Sequence, residues 1–346
     1  MMQINKNTPL VYLSITFLLL GACEKDFSVN SENVEPFPVV YALLNASEDV
    51  HYIKVYKSFL VEGNAYDLVN NINNYSYLDS VDVYVVEYDE NGNKKRTINF
   101  SPTWEVPKDS GLFEYPAQML YKAETKLNAD YSYQLFVDNR YTKIRVYNET
   151  PVFPAGKPTA PRMTSKPTIT IPNGVMEWEF LTSSNTTKYL LRLYFYYTEV
   201  LTDNTRRQPE PVLWTIGTVS DHLLTANREK NVTISAGSAF FQKIAYQIRK
   251  DPNVSRRYVD SLVYEIYAAA SDWDLYIQST QPPTGLNQNK LYYSNLKACH
   301  VETKQEMPVV GFFSFRNRME KQYEDLHQNT KDSLRYGRYT KDLLFY

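Results

Sequence analysis

A chain of 346 residues with 37 Lys and Arg against 39 Asp and Glu has a formal net charge of −2, which argues against a nucleic-acid partner, since that would call for a basic stripe. With 30 Tyr and 16 Phe against 11 Gly, the composition leans toward the half-buried pleated surfaces that aromatic residues favour, and predicts an all-β protein. The length exceeds what one ordinary core occupies and predicts two domains.

The first element is an apolar run from Leu10 to Ala22, interrupted by Ser14 and Thr16. A spanning helix needs about 20 consecutive apolar residues, so this run is too short for one. A polar start carrying Lys6, the apolar core and the small residues Gly21 and Ala22 predict a secretory signal peptide over residues 1–22. Leu20-Gly21-Ala22-Cys23 resembles the lipobox of bacterial lipoproteins, whose cysteine takes a diacylglyceryl group and becomes the first residue of the mature chain. Two or more acyl chains anchor a protein stably, so the mature protein is expected to hang from a membrane by Cys23 without crossing it. Residues 23–35, polar and acidic, read as a flexible tether with a reach of about 20 Å. Within it, Glu24-Lys25-Asp26 resembles the acidic signal by which Bacteroidota lipoproteins reach the cell surface. Lipidation of Cys23 leaves Cys299 without a disulfide partner.

Over residues 36–150, alternating runs between turn signals predict strands at 39–44, 52–59, 81–88, 96–100, 131–137 and 141–147. Asn91-Gly92 between two of them is a strong hairpin signal. The acidic and Asn residues there are not a calcium loop, because the glycine comes too early and Lys94-Lys95 would repel the ion. Leu127, six residues before the alternation Tyr133, Leu135, Val137, resembles the tyrosine corner of immunoglobulin-like and fibronectin-like sandwiches. This segment is therefore expected to be such a β-sandwich, with Tyr133 structural. Residues 70–74 and 101–110 read as loops, where a binding surface would lie.

Prolines at 151, 154, 158, 161 and 167 mark residues 151–168 as a linker. Beyond it, residues 169–346 are expected to form a second β-rich domain with one or two short helices. Strands are predicted at 175–180 and 188–201. The second, KYLLRLYFYYTEVL, carries aromatics on both faces and reads as a central strand. Tyr194, Tyr196 and Tyr197 fit a core better than the alternative, a sugar-stacking platform. Phe240, Phe241, Ile244, Ala245 and Ile248 fall at helical spacing, with Ser238 as the expected cap and Asp251-Pro252 as the stop. A strand at 258–269, a short capped helix from Ser271 and a buried strand at 309–315 follow. Residues 316–341 show no clear period.

The sequence has no pattern that carries a known chemistry. Histidines 51, 222, 300 and 327 are scattered, no HExxH or paired CxxC occurs, and no metal or cofactor is expected. There is no GxSxG elbow, phosphate-cradling loop or dinucleotide fingerprint. Cys299-His300 would point to opposite faces of a strand. No catalytic residue is assigned, and an enzyme is not expected.

The lipobox at Cys23, the early strands PVVYALLN and HYIKVYKSFL, the corner LNADYSYQLFV, then EIYAAASDWDLYIQS, YYSNL and VVGFFSF occur in an order similar to that of a family of Bacteroidota outer-membrane lipoproteins, filed as domain of unknown function four-two-four-nine. The resemblance implies a cell-envelope lipoprotein, often accompanied by TonB-dependent transporters, and carries no catalytic residues with it. Asp79-Ser80-Val81, Asp260-Ser261-Leu262 and Asp332-Ser333-Leu334 also resemble the Bacteroidota O-glycosylation signal, although two of these triplets open expected strands, which is a sufficient structural explanation. The expectation is a lipid-anchored, non-catalytic protein of the outer membrane, a binding or accessory subunit of a transporter or envelope complex. The alternative is a fimbrial subunit, but such proteins are cleaved after an early arginine, and none precedes Arg96 in the mature chain. An envelope hydrolase ranks below both.

Overall fold

The computed structural model describes residues 36–59, 68–78, 80–111, 113, 116–160, 168–220, 230–280 and 293–346. The first seven strands are β1 (Pro38–Leu44), β2 (Val50–Lys57), β3 (Val81–Tyr88), β4 (Lys94–Thr103), β5 (Leu120–Glu124), β6 (Ser132–Asn139) and β7 (Ile144–Asn148). Period-two alternation turns Val40, Ala42, Ile53 and Val55 inward from one sheet and Val83, Val85, Leu135 and Val137 inward from the other. β4 joins the two sheets: Lys94 to Phe100 pair with β3, and Ser101 to Thr103 pair with β5. The sheets are therefore β1-β2-β5 with the end of β4, and β3-β6-β7, the strand order of an immunoglobulin-type sandwich. At the β3–β4 hairpin, Gly92 has φ +78° and the Asp89 carboxylate accepts from the N–H groups of Asn91 and Asn93. The acid there closes a turn. The stretch 101–110 is not all loop, since β4 continues through Thr103.

The remaining elements are β8 (Thr168–Ile169), β9 (Val175–Leu181), β10 (Lys188–Leu201), β11 (Arg206–Arg207), β12 (Val212–Ser220), β13 (Lys230–Ala236), α1 (Gly237–Gln247), β14 (Val254–Ala269), α2 (Ser271–Thr280), β15 (Leu296–His300), β16 (Glu306–Met307), β17 (Val310–Tyr323), β18 (Asp325–Leu326) and α3 (Gln328–Tyr336). Three α-helices are thus placed among the described residues, where one or two were expected. The protein is mostly β, half of it in strands (50%).

The second core forms where β10 and β14 present Tyr189, Leu191, Leu193, Phe195, Tyr264 and Ile266 to the β9–β13 pair and to α1. Trp178 stacks on Tyr264 with ring centroids 5.2 Å apart, and Phe180 meets Tyr189 at 4.8 Å. Ser238 is not the cap of α1. Ala236 holds that position without a side-chain bond, and the Gly237 N–H donates to the carbonyl of Gly174 at 2.7 Å. The helix stops at Gln247 because Ile248 turns extended and buries its side chain.

β17 connects the two cores. Its first half runs parallel to β1, from Val39↔Val310 to Leu44↔Phe315, and its second half runs antiparallel to β14, from Ala269↔Arg316 to Leu262↔Tyr323. β15 adds to the opposite edge of the sandwich, on β7. Leu296, Ala298, Phe313 and Phe315 consequently belong to the first core. The span 169–346 is therefore not one self-contained body, because its residues 296–315 return to the sandwich. The proline-rich stretch is packed as far as it is described, with Val152, Pro154, Ala155, Pro158 and Ala160 buried. Residues 161–167 of the expected linker lie outside the described residues.

One buried titratable group gives the sandwich a measurable pH dependence. His51 on β2 is 2% exposed; its Nε2–H donates to the Thr125 carbonyl at 2.9 Å, and its Nδ1 has no partner among the described residues. Burial holds its pKa below the ordinary 6.5, outweighing the Thr125 carbonyl and the nearby Glu48 and Asp49, which pull upward. The unfolded chain therefore takes up this proton more readily than the folded one. The stabilisation from neutral His51 is complete above pH 6.5 and is lost as pH falls below it. Urea unfolding at about pH 7 and about pH 5 is expected to show a smaller loss of stability in His51→Gln than in the parent, and equal losses would refute the assignment.

Candidate functional site

Of the residues singled out in the sequence, Leu127 and Tyr133 come together in the sandwich. The Tyr133 hydroxyl accepts from the Asn128 N–H at 2.7 Å and donates to Glu87 Oε2 at 2.9 Å, beside buried Leu127. Arg96 holds the same Glu87 carboxylate with two contacts of 3.0 Å. Burial, then the Glu87 carboxylate, push the Tyr133 pKa far above its ordinary value. The phenol is a fixed strut. Leu20, Gly21, Ala22, Cys23, Glu24, Lys25 and Asp26 lie outside the described residues.

The other candidates are dispersed. His51 is buried in β2, His300 accepts the Thr303 N–H through Nδ1, and His327 caps α3 through the Asn329 N–H. His222 lies outside the described residues. Among the described residues no group of three or more His, Cys, Asp or Glu side chains could hold a metal. Cys299 is a free thiol on β15. On β10, Tyr197 is buried, whereas Tyr194 is half-buried and Tyr196 is 37% exposed on the outer face of the sheet.

A concave feature among the described residues lies where the two cores meet. A half-open cleft of about 640 Å³ is lined by residues 149–153, Asn185, Thr187, residues 270–272 and residues 294–297, a volume within the usual range for ligand sites. Its walls are held by backbone. The Thr187 N–H donates to Ala269 O at 3.0 Å and the Ala270 N–H to Phe315 O at 3.1 Å, so the starts of β10 and α2 are fixed against the middle of β17. Asn295 behaves like an extra peptide unit, accepting from the Phe313 N–H at 2.9 Å and donating to its carbonyl at 2.7 Å. Val152 exchanges two backbone bonds with Tyr133 and turns inward. Alternation then sends Phe153 outward, where it is 46% exposed.

The electrostatics of the cleft nearly balance. Lys297 Nζ lies 2.7 Å from Glu149 Oε1. Asp272, in the first turn of α2, complements the partial positive charge of the helix start and accepts the Tyr293 hydroxyl. Burial and that carboxylate raise the Tyr293 pKa well above its ordinary value. Hydroxyls of Thr150, Ser271 and Ser294 add donors and acceptors, and no histidine or cysteine is among the lining residues. The arrangement suits recognition of a polar, nearly uncharged ligand. Its parts come from four distant segments, which is why no local motif announced it; the only sequence signal was Phe153 held between Pro151 and Pro154.

No helix among the described residues is long and apolar enough to cross a membrane. No family model matches the chain, and no curated protein does. Among solved structures, the C-terminal globular domain of an oligosaccharyltransferase from Pyrococcus abyssi aligns at 15% identity over 65% of this chain and 42% of that one, with a TM-score of 0.21. The match spans less than half of that chain, and at this score it carries no argument about either fold or function.

Proposed function

We propose that the protein is a lipid-anchored, non-catalytic subunit of the outer membrane that binds a ligand or a partner on behalf of a transporter or envelope complex, with the seam cleft as its binding site. The observation that carries the anchoring is Leu20-Gly21-Ala22-Cys23 at the end of a short apolar run. The geometry is consistent with display of the cleft away from the anchor. The chain enters the sandwich at Phe37, which is clamped to Ser58 by a bond in each direction. That end carries the β6–β7 turn, whereas Glu149 and Leu296 of the cleft sit at the other ends of β7 and β15. About five to eight strand residues at 3.3 Å each put roughly 20 Å of sandwich between tether and cleft.

The test is metabolic labelling with a palmitate analogue in the native envelope. The parent is expected to be labelled and to fractionate with membranes, and Cys23→Ser to lose both properties. An unlabelled parent, or a labelled Cys23→Ser variant, would overturn the anchoring. Mild-detergent purification that recovers neither a partner nor a ligand would count against the accessory role.

A further inference from the structure

We propose that the seam cleft binds a glycan, seated with the apolar face of one sugar ring on Phe153; this rests on the reading of the cleft as the binding site of a non-catalytic subunit. A pyranose presents a C–H face and a rim of vicinal hydroxyls. The cleft has the complement of both. Phe153 is the exposed aromatic in the lining, and buried Pro154, the next residue, restricts its backbone, so less order is lost on binding. Around it stand groups for that rim: the Asp272 carboxylate, which accepts and has one oxygen engaged by Tyr293, and the Ser271 hydroxyl and the Asn185 amide, which both accept and donate.

Ser271 is exposed in the lining at the start of α2, where the hydroxyl rim of a sugar would meet it. Thr187 also lines the cleft, at 8% exposure, but its hydroxyl is sealed from solvent and takes no part. Charge narrows the class further. Glu149 is neutralised by Lys297, and the remaining Asp272 carboxylate disfavours an anionic ligand. A peptide captured by strand addition needs a free strand edge. β15, which ends the cleft, pairs with β7 along its length, and on its other edge β16 covers only Ala298 and Cys299, so the peptide array tests strand addition beside Leu296 and Lys297.

The experiment uses the full chain in detergent micelles on a printed glycan array and on a peptide array. Binding to a subset of glycans is expected, weakened about tenfold by Phe153→Ala, as loss of one aromatic contact implies. Ser271→Ala is expected to weaken the same glycans while leaving the unfolding midpoint unchanged, a combination that a purely structural role would not produce. Tyr246→Ala, at an 84% exposed position on α1, is the control and should change nothing. Glycan binding indifferent to both Phe153→Ala and Ser271→Ala would overturn the site. Phe153-dependent binding of peptides and of no glycan would overturn the glycan class and leave the binding-subunit reading standing. No binding on either array would overturn the cleft as a ligand site, whereas the palmitate label bears on the anchoring alone.

Discussion

Replacing Gly311 with alanine is expected to lower the unfolding free energy by about 3–5 kcal/mol, or to prevent folding, as measured by urea denaturation. Gly311 lies on β17 at φ +120°, a conformation L side chains rarely adopt, and a Cβ there would sit 1.8 Å from the Val40 carbonyl oxygen. The obstacle is backbone, so no rotamer change relieves it. Relief requires β17 to move away from β1, and that pairing carries six residue pairs from Val39↔Val310 to Leu44↔Phe315. The same strand continues into the β14 ladder, so the displacement would reach both cores and the seam cleft between them. Gly174→Ala is the matched control: nothing lies within 4 Å of its added Cβ, and its φ is ordinary. That change is expected to cost less than about 0.5 kcal/mol. Similar losses in the two variants would show that the β1–β17 contact does not bear on stability.

The asymmetry between those glycines illustrates what the sequence could and could not reveal. β3 and β10 were legible to the residue, because their inward positions are uniformly apolar: Val81, Val83 and Val85 in one, Tyr189, Leu191, Leu193 and Phe195 in the other. VVGFFSF was legible as a buried strand, but its continuation through RNRMEKQY was not. The alternation persists there, with Met319 and Tyr323 inward and Arg318, Glu320 and Gln322 outward. It is interrupted by Asn317, a buried polar residue that stands where an apolar one would be expected. Its amide donates to Ala155 O and its oxygen accepts from the Ser47 hydroxyl, tying the proline-rich stretch to the sandwich. Five-residue β5, with Lys122 and Glu124 outward, was too short to stand out. The cleft was the least legible feature, since Phe153, Thr187, Asp272 and Lys297 become neighbours only after β17 has brought the chain back across both cores. No spacing rule along the chain encodes that return.

Truncating Glu199 to alanine is expected to cost about 3–5 kcal/mol, the range for breaking a buried ion pair by removing one member. Arg257 is 1% exposed, and its Nε and Nη2 both lie 2.8 Å from Glu199 Oε1. Two carbonyls complete its surroundings, Leu343 O at 2.6 Å from Nη1 and Arg249 O at 3.1 Å from Nη2. They satisfy the guanidinium N–H groups but bring no compensating charge, so Glu199→Ala leaves a cation uncompensated in the second core. The loss spreads to the chain end. The Arg257 N–H donates to Leu344 O and its carbonyl accepts from the Tyr346 N–H, which seats Phe345 against Phe195 at 5.7 Å. Arg207 provides the contrast, because it reaches the same carboxylate at 2.6 Å from a side chain that is 49% exposed. Solvent screens that pair, and Arg207→Ala is expected to cost far less than Glu199→Ala. Thermal unfolding of the two variants, with amide hydrogen exchange at Tyr346, reads both parts. Glu199→Ala should lower the midpoint several-fold more than Arg207→Ala and speed exchange at the chain end, and equal midpoints would show that Arg257 is not held by Glu199.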